Sequence, residues 1–214
     1  MKKIVRKTYR PLSLILAVVI LMFGLLLNIL LPKYASAAQI TLRSLTLQAG
    51  IADGGSKPSG TVNHNFAFTV PSTGNVGSIE FKYCTLAAGT CTTPAGLTTT
   101  SATMGTQTGA TGFTLNNATN GAPYITRVAA SIASNTALTY QLLAVVNPNA
   151  TDCPLNATAP SCTFFVRLST FASTNATGGP IDTGTVNASV NQQIIITGTM
   201  PESLVFCTGG TVLT

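Results

Sequence analysis

Ile79-Glu80-Phe81-Lys82-Tyr83-Cys84 sets an apolar side chain at every second position, with a charged one between. Neighbouring side chains on a strand point to opposite faces, so this spacing buries one side of a sheet and wets the other. The same period of two recurs on both sides of the hexapeptide. Leu45 and Leu47 keep it in residues 40–47, and Phe66, Phe68 and Val70 in 61–70. Leu138, Tyr140 and Leu142 share one face of 137–146, and Phe164, Val166 and Leu168 one face of 162–171. Val186, Ala188 and Val190 alternate with Thr185, Asn187 and Ser189, and residues 192–199 contain Ile194-Ile195-Ile196. A helix would show a period near 3.6. The best helical candidate after residue 38 is 129–133, which is short and flanked by β-like residues.

Turn chemistry separates these runs. Asp53-Gly54-Gly55, Pro71-Ser72-Thr73-Gly74, Asn120-Gly121, Asn147-Pro148-Asn149 and Gly178-Gly179-Pro180 fix or free φ where a strand must stop. Short strands between such turns predict an all-β fold, an antiparallel two-sheet sandwich of Ig-like type. The Ig marker of a buried Trp is missing, since the chain has no Trp. Residues 85–120 carry the weakest pattern, and 98–101 and 105–112 read as loop or irregular edge strands.

Residues 1–37 read differently. Lys2, Lys3, Arg6, Lys7 and Arg10 precede an uncharged run over 12–31, bounded by Pro11 and Pro32. Ala35-Ser36-Ala37 then offers small residues three and one positions before a cut, which predicts signal cleavage between Ala37 and Ala38. The apolar run is longer than the usual signal core of about 7–15 residues and, as a helix, long enough to span a bilayer. The segment is thus a signal peptide or an uncleaved membrane anchor. Both place the rest of the chain outside, secreted or on the extracellular face of the cell membrane. The organisation expected is a leader over 1–37, a β-sandwich domain over 38–200, and the start of a second, truncated module over 201–214.

The formal charge of +6 belongs to the leader. From residue 38 on, Arg43, Lys57, Lys82, Arg127 and Arg167 are matched by Asp53, Glu80, Asp152, Asp182 and Glu202. With no basic patch left to replace counterions on phosphates, a nucleic-acid partner is not expected.

All five cysteines follow the leader. Cys84 and Cys91 bracket one turn-rich loop, and Cys153 and Cys162 another. Export to an oxidising compartment favours these two local disulfides. Cys207 is left over: either free or intermolecular, or waiting for a partner in chain beyond a truncation. The spacing is not that of a zinc site, and His64, the sole histidine, lies in a strand. No metal or cofactor is expected.

Catalytic signatures are missing too. One histidine and five scattered acids give little material for acid–base work, and no nucleophile elbow, metalloprotease, phosphate-loop or calcium-loop motif occurs. An intramolecular isopeptide would need Lys82 buried beside Glu80, but both alternate with apolar residues and are expected to face solvent. Asn117, Asn149, Asn156, Asn175 and Asn187 open glycosylation sequons, a number that Asn, Ser and Thr abundance produces by itself. The reading is therefore a structural or interaction module without catalysis. The alternative, a carbohydrate-binding module, needs exposed rings, for which Phe113, Tyr124 and Phe171 are the candidates, although core packing is the expected place of each.

Three stretches carry a resemblance: residues 79–84 with Cys91, Phe164-Phe165-Val166-Arg167-Leu168, and Glu202-Ser203-Leu204-Val205-Phe206-Cys207. Together they resemble uncharacterised secreted Thr/Asn-rich surface proteins of reduced-genome bacteria, over most of residues 40–207. The resemblance brings no established activity or functional residue. It implies a cell-envelope setting and more chain beyond Thr214. The expected function is that of an adhesin, pilus-like or surface-layer subunit. Its partners would be the membrane through the leader, and self, other surface proteins or glycans through the domain.

Overall fold

The computed structural model describes residues 15–22, 37–49, 54–149 and 161–191. The chain divides into two units, Met1–Ala37 and Ala38–Thr214.

In the first unit residues 15–22 are helical, with exposed apolar side chains from Ile15 to Met22. Among the described residues no helix is long and apolar enough to cross a membrane. The remainder of the uncharged run over 12–31, and Ala35, lie outside the described residues.

The second unit is a two-sheet sandwich of ten strands in its described part, with all but one strand pairing antiparallel. The strands are β1 (Ala38–Gln39), β2 (Thr41–Ala49), β3 (Thr61–Val70), β4 (Gly74–Cys84), β5 (Thr103–Thr108), β6 (Thr114–Asn116), β7 (Tyr124–Ile132), β8 (Thr136–Val146), β9 (Ser161–Phe171) and β10 (Asp182–Asn191). One sheet runs β1-β10-β9-β4-β7-β6, the other β2-β3-β8-β5. Only the two-residue β1 lies parallel to its neighbour, β10. Chain leaving β1 crosses at Ile40 to the opposite sheet, and the crossing packs on Gly184, where a Cβ would sit 2.9 Å from that of Ile40.

The alternation read from sequence places the core. Phe66, Phe68 and Val70 of β3 meet Ile79, Phe81 and Tyr83 of β4, with Leu138, Tyr140 and Leu142 of β8 and Phe164, Val166 and Leu168 of β9 completing the interior. Each such side chain contributes about 1.5–3 kcal/mol on burial. Rings interlock at their centre: Phe66 and Phe81 have centroids 4.5 Å apart, and Phe113 meets Tyr140 edge-on at 5.6 Å. Both are spacings at which aromatic pairs attract.

Residues 124–132 form a strand, so 129–132 of the best helical candidate are extended. Two extra residues on β7 explain why the pattern hid it. Ser78 pairs with Thr126, yet Val76 pairs with Ala130. The bulge between them turns Val128 out to 87% exposure and lets Ile125 and Ile132, seven positions apart, both face inward. The segment 98–112 forms loop and the edge strand β5, as the sequence suggested. Residues 192–214, with their isoleucine run and the proposed second module, lie outside the described residues.

Candidate functional site

His64 occupies an inward position of β3, between Val62 and Phe66, and is fully buried. Its Nδ1 lies 2.9 Å from the Tyr83 hydroxyl on the opposite sheet, and its Nε2 lies 3.2 Å from Oδ1 of Asn147 beyond the end of β8. Asn147 Nδ2 donates to the carbonyls of Gly55 and Lys57 at 2.9 and 3.0 Å. Those bonds fix the amide so that Oδ1 must accept, which assigns the proton to Nε2 and leaves Nδ1 to accept from Tyr83. Every polar atom in the chain of contacts is satisfied by the neutral imidazole. Burial drives the His64 pKa from 6.5 down to about 4, outweighing the opposing bond to Asn147. The same burial pushes the Tyr83 phenol upward. A base so enclosed, stacked on Phe164 at 6.1 Å, has no face for substrate. It ties the two sheets to the 54–60 turn. Sequence reading passed over this role, although His64 stands in register with the buried side chains of its strand.

The other titratable groups are held by structure as well. Arg167 donates to the carbonyls of Gly89 and Leu86 at 2.8 and 3.1 Å, bracing the loop closed by the Cys84–Cys91 disulfide. Arg127 covers the Phe113 ring at 4.4 Å and donates to Thr111. Glu80 is half-buried, with its pKa raised by burial and lowered in part by Lys82, which is exposed. Solvent exposure of Lys82 leaves it without the buried setting an isopeptide requires. Asp182 is 1% exposed, and neither carboxylate oxygen meets a donor in hydrogen-bonding geometry among the described residues. Burial raises its pKa, with Ser72 and Thr170 close enough to offset part of the rise. Among the described residues no three His, Cys, Asp or Glu side chains gather as metal ligands.

Of the five cysteines, Cys84 and Cys91 are paired as expected, with Cα atoms 4.9 Å apart. Cys162 is disulfide-bonded, while Cys153 and Cys207 lie outside the described residues. Ala37 precedes the first strand, and Ala38 opens it, donating its N–H to Ile181 at 3.1 Å. Phe113 and Phe171 are core residues, and Tyr124 is half-buried with its hydroxyl accepting from Asn116 at 2.9 Å. The aromatic platform suggested by these three rings is therefore not formed.

Two depressions mark the described surface. One, of about 520 Å³, lies at the rim between the sheets, lined by Leu42, Arg43, Ser44 and Leu45 of β2 and Thr185, Val186 and Asn187 of β10. Arg43 lies within it, with Nε donating to Thr185 at 2.7 Å and Nη1 to Ile40 at 2.5 Å. The other, of about 280 Å³, lies on the outer face of the four-stranded sheet among Ser44, Thr46, Asn65, Thr106, Thr139 and Gln141. Neither lining holds a carboxylate, histidine or cysteine, so neither offers an acid–base pair or a thiol nucleophile. The first displays the Arg43 guanidinium beside hydroxyl, amide and apolar side chains, and the second only uncharged side chains. No protein-family model matches this chain and no curated protein matches it, so its function is argued from this geometry.

Proposed function

We propose that the chain is an exported bacterial cell-surface module, structural or adhesive, of adhesin, pilus-like or surface-layer type, with no catalytic role. One observation carries the reading: His64 is enclosed in the core, Arg127 and Arg167 are engaged by loops, and the sandwich presents a sparsely charged surface with open strand edges. Such edges are templates for pairing with another chain. Export is supported by the leader, by the Cys84–Cys91 disulfide, and by a first strand that starts at Ala38, the residue after the cleavage site. Secretion and tethering differ only in whether that cut is made. The Ig-like reading is supported by the pairings β2-β3-β8-β5 and β10-β9-β4, which follow the A-B-E-D and G-F-C orders. The chain order of β5, β6 and β7 departs from it. Intact mass of the protein from fractionated cells tests the proposal. Envelope or medium recovery with oxidised Cys84 and Cys91 is expected. A cytoplasmic chain with reduced thiols overturns it.

The carbohydrate-binding alternative rests on the groove over Asn65, Thr139 and Gln141, whose hydroxyls and amides suit sugar hydroxyls. A glycan array with Gln141→Ala as control decides it, since binding there must weaken in the variant.

A further inference from the structure

The strand edges of this sandwich are not alike. β6 is three residues long. β5 slips register between Met104 and Gln107. β2 slips between Thr41 and Ser44, with Leu42 at φ 44° and Arg43 beside it. The half of β7 beyond β6 carries the two-residue bulge and Arg127. Short length, bulges and charge are the means by which folded proteins block edge pairing. β10 has no bulge and no charged residue of its own over its free part, and Arg43 of β2, the cation beside it, is bound to the Thr185 carbonyl. The strand pairs with β9 in unbroken register from Asp182 to Asn191, β1 covers it only at Asp182 and Thr183, and residues 183–191 hold no charge.

The odd-numbered residues of β10 turn their backbone groups away from β9. Ile40 donates to the Thr183 carbonyl, Arg43 to that of Thr185, and the Asn191 N–H donates to Ser56. That leaves the Thr185 N–H, both groups of Asn187 and Ser189, and the Asn191 carbonyl without partners among the described residues. The set is self-complementary. Placed antiparallel about a two-fold axis at Ala188, Asn187 and Ser189 of the two copies exchange both bonds, and each Thr185 N–H faces the Asn191 carbonyl of the second copy. No like charges meet across such a seam, which is what a self-pairing edge requires. Leu42, 85% exposed at the same rim, is an apolar side chain that a second copy at this edge could cover.

We infer that β10 is the assembly edge of this protein and that its occupant is β10 of a second copy, joining two six-stranded sheets through an isologous antiparallel seam centred on Ala188. The inference rests on the surface-module reading and names the partner and register for it.

Cysteine cross-linking in the full-length chain tests it, with protein exported with its leader, recovered from the envelope and carrying Cys207→Ser. Ala188 and its copy form a non-hydrogen-bonded pair with Cα atoms about 4.5 Å apart, within disulfide reach. Ser189 and its copy stand roughly 8 Å apart, beyond it. Ala188→Cys is therefore expected to give a disulfide dimer under mild oxidation, and Ser189→Cys at least ten-fold less. Adding Asn187→Pro, which removes an outward N–H and takes no donor from the bonds to β9, is expected to abolish the Ala188→Cys dimer. Asn187→Lys, which keeps the backbone intact, is expected to weaken it by like-charge contact. Equal cross-linking at 188 and 189, or a dimer indifferent to both Asn187 variants, overturns the β10 seam. Higher assemblies trapped by a lysine-independent cross-linker with no Ala188→Cys dimer would sink the β10 assignment and keep the surface-module reading. Strict monomers in every arm would remove the β10 seam together with the pilus-like and surface-layer versions of that reading.

Discussion

Replacing His64 by Phe tests the interior network through its pH dependence. The imidazole is neutral in the fold, with a pKa of about 4 against 6.5 when free. As pH falls below 6.5 the unfolded chain takes up a proton that the folded chain refuses, so stability falls, and it stops falling below about 4. The difference of about 2.5 in pKa corresponds to about 3.4 kcal/mol. Phe cannot titrate, but it leaves the Tyr83 hydroxyl and Asn147 Oδ1 unpaired at about 1–3 kcal/mol each. The wild-type chain from residue 38 should thus exceed His64→Phe by several kcal/mol at pH 7.5, and that gap should shrink by about 3 kcal/mol at pH 4. Glu80 and Asp182 act in the opposite sense. Their raised pKa values favour the fold at low pH, an advantage lost as pH rises through them, and both proteins carry them, so they cancel in the difference. Urea unfolding across pH 4–7.5, followed by far-UV circular dichroism because the chain lacks Trp, reads the gap. A gap equal at both pH values would refute the buried neutral histidine.

Four further outcomes follow from single contacts. Cys84→Ser with Cys91→Ser should cost about 2–3 kcal/mol by releasing the short loop that Arg167 braces, read by chemical denaturation. Asn120→Ala should cost about 1–2 kcal/mol and speed amide exchange at Thr99, because its side chain accepts from Thr99 and donates to Leu97 at 2.8 Å each. Asn135 sits at φ 62° between β7 and β8, so Asn135→Gly should be near neutral and Asn135→Val should lose about 1–2 kcal/mol in thermal unfolding. Asp182→Asn should stabilise the fold at pH 7.5 and lose that advantage toward pH 3, since only the carboxylate form suffers from burial there.

Periodicity made β2, β3, β8, β9, β10 and the Ile79–Tyr83 part of β4 legible, because alternate side chains there turn inward. It failed at β7, where the bulge moves the inward positions from odd to even numbers, and at β6, too short to carry a period. The local Cys84–Cys91 pairing was readable from spacing. The His64–Tyr83–Asn147 contacts were not, because residues 19 and 83 positions apart meet only once the sheets are packed. For Phe113, Phe171 and Tyr124 the sequence favours core packing over an exposed platform. Two lie in the core, and Tyr124 is held at its surface by Asn116.

The irregularities that hide a strand from a sequence reader are the ones that protect its edge. A bulge disturbs the alternation and, in the same stroke, tilts backbone donors and acceptors out of line with any incoming strand. β5, and β7 beyond β6, combine both properties, while β2 keeps its irregularity between Thr41 and Ser44, ahead of the alternation of Leu45 and Leu47. β10 has neither: its strict alternation from Thr185 to Val190 gave it away in sequence, and its unbroken register leaves it a flat template in the fold. A protein selected to stay monomeric gains by disrupting that edge, and one lysine in place of Asn187 or Ser189 would do so without touching the core. A chain that keeps nine uncharged residues there while bulging its other long edges treats β10 differently, and pairing is the property in which that difference has a use.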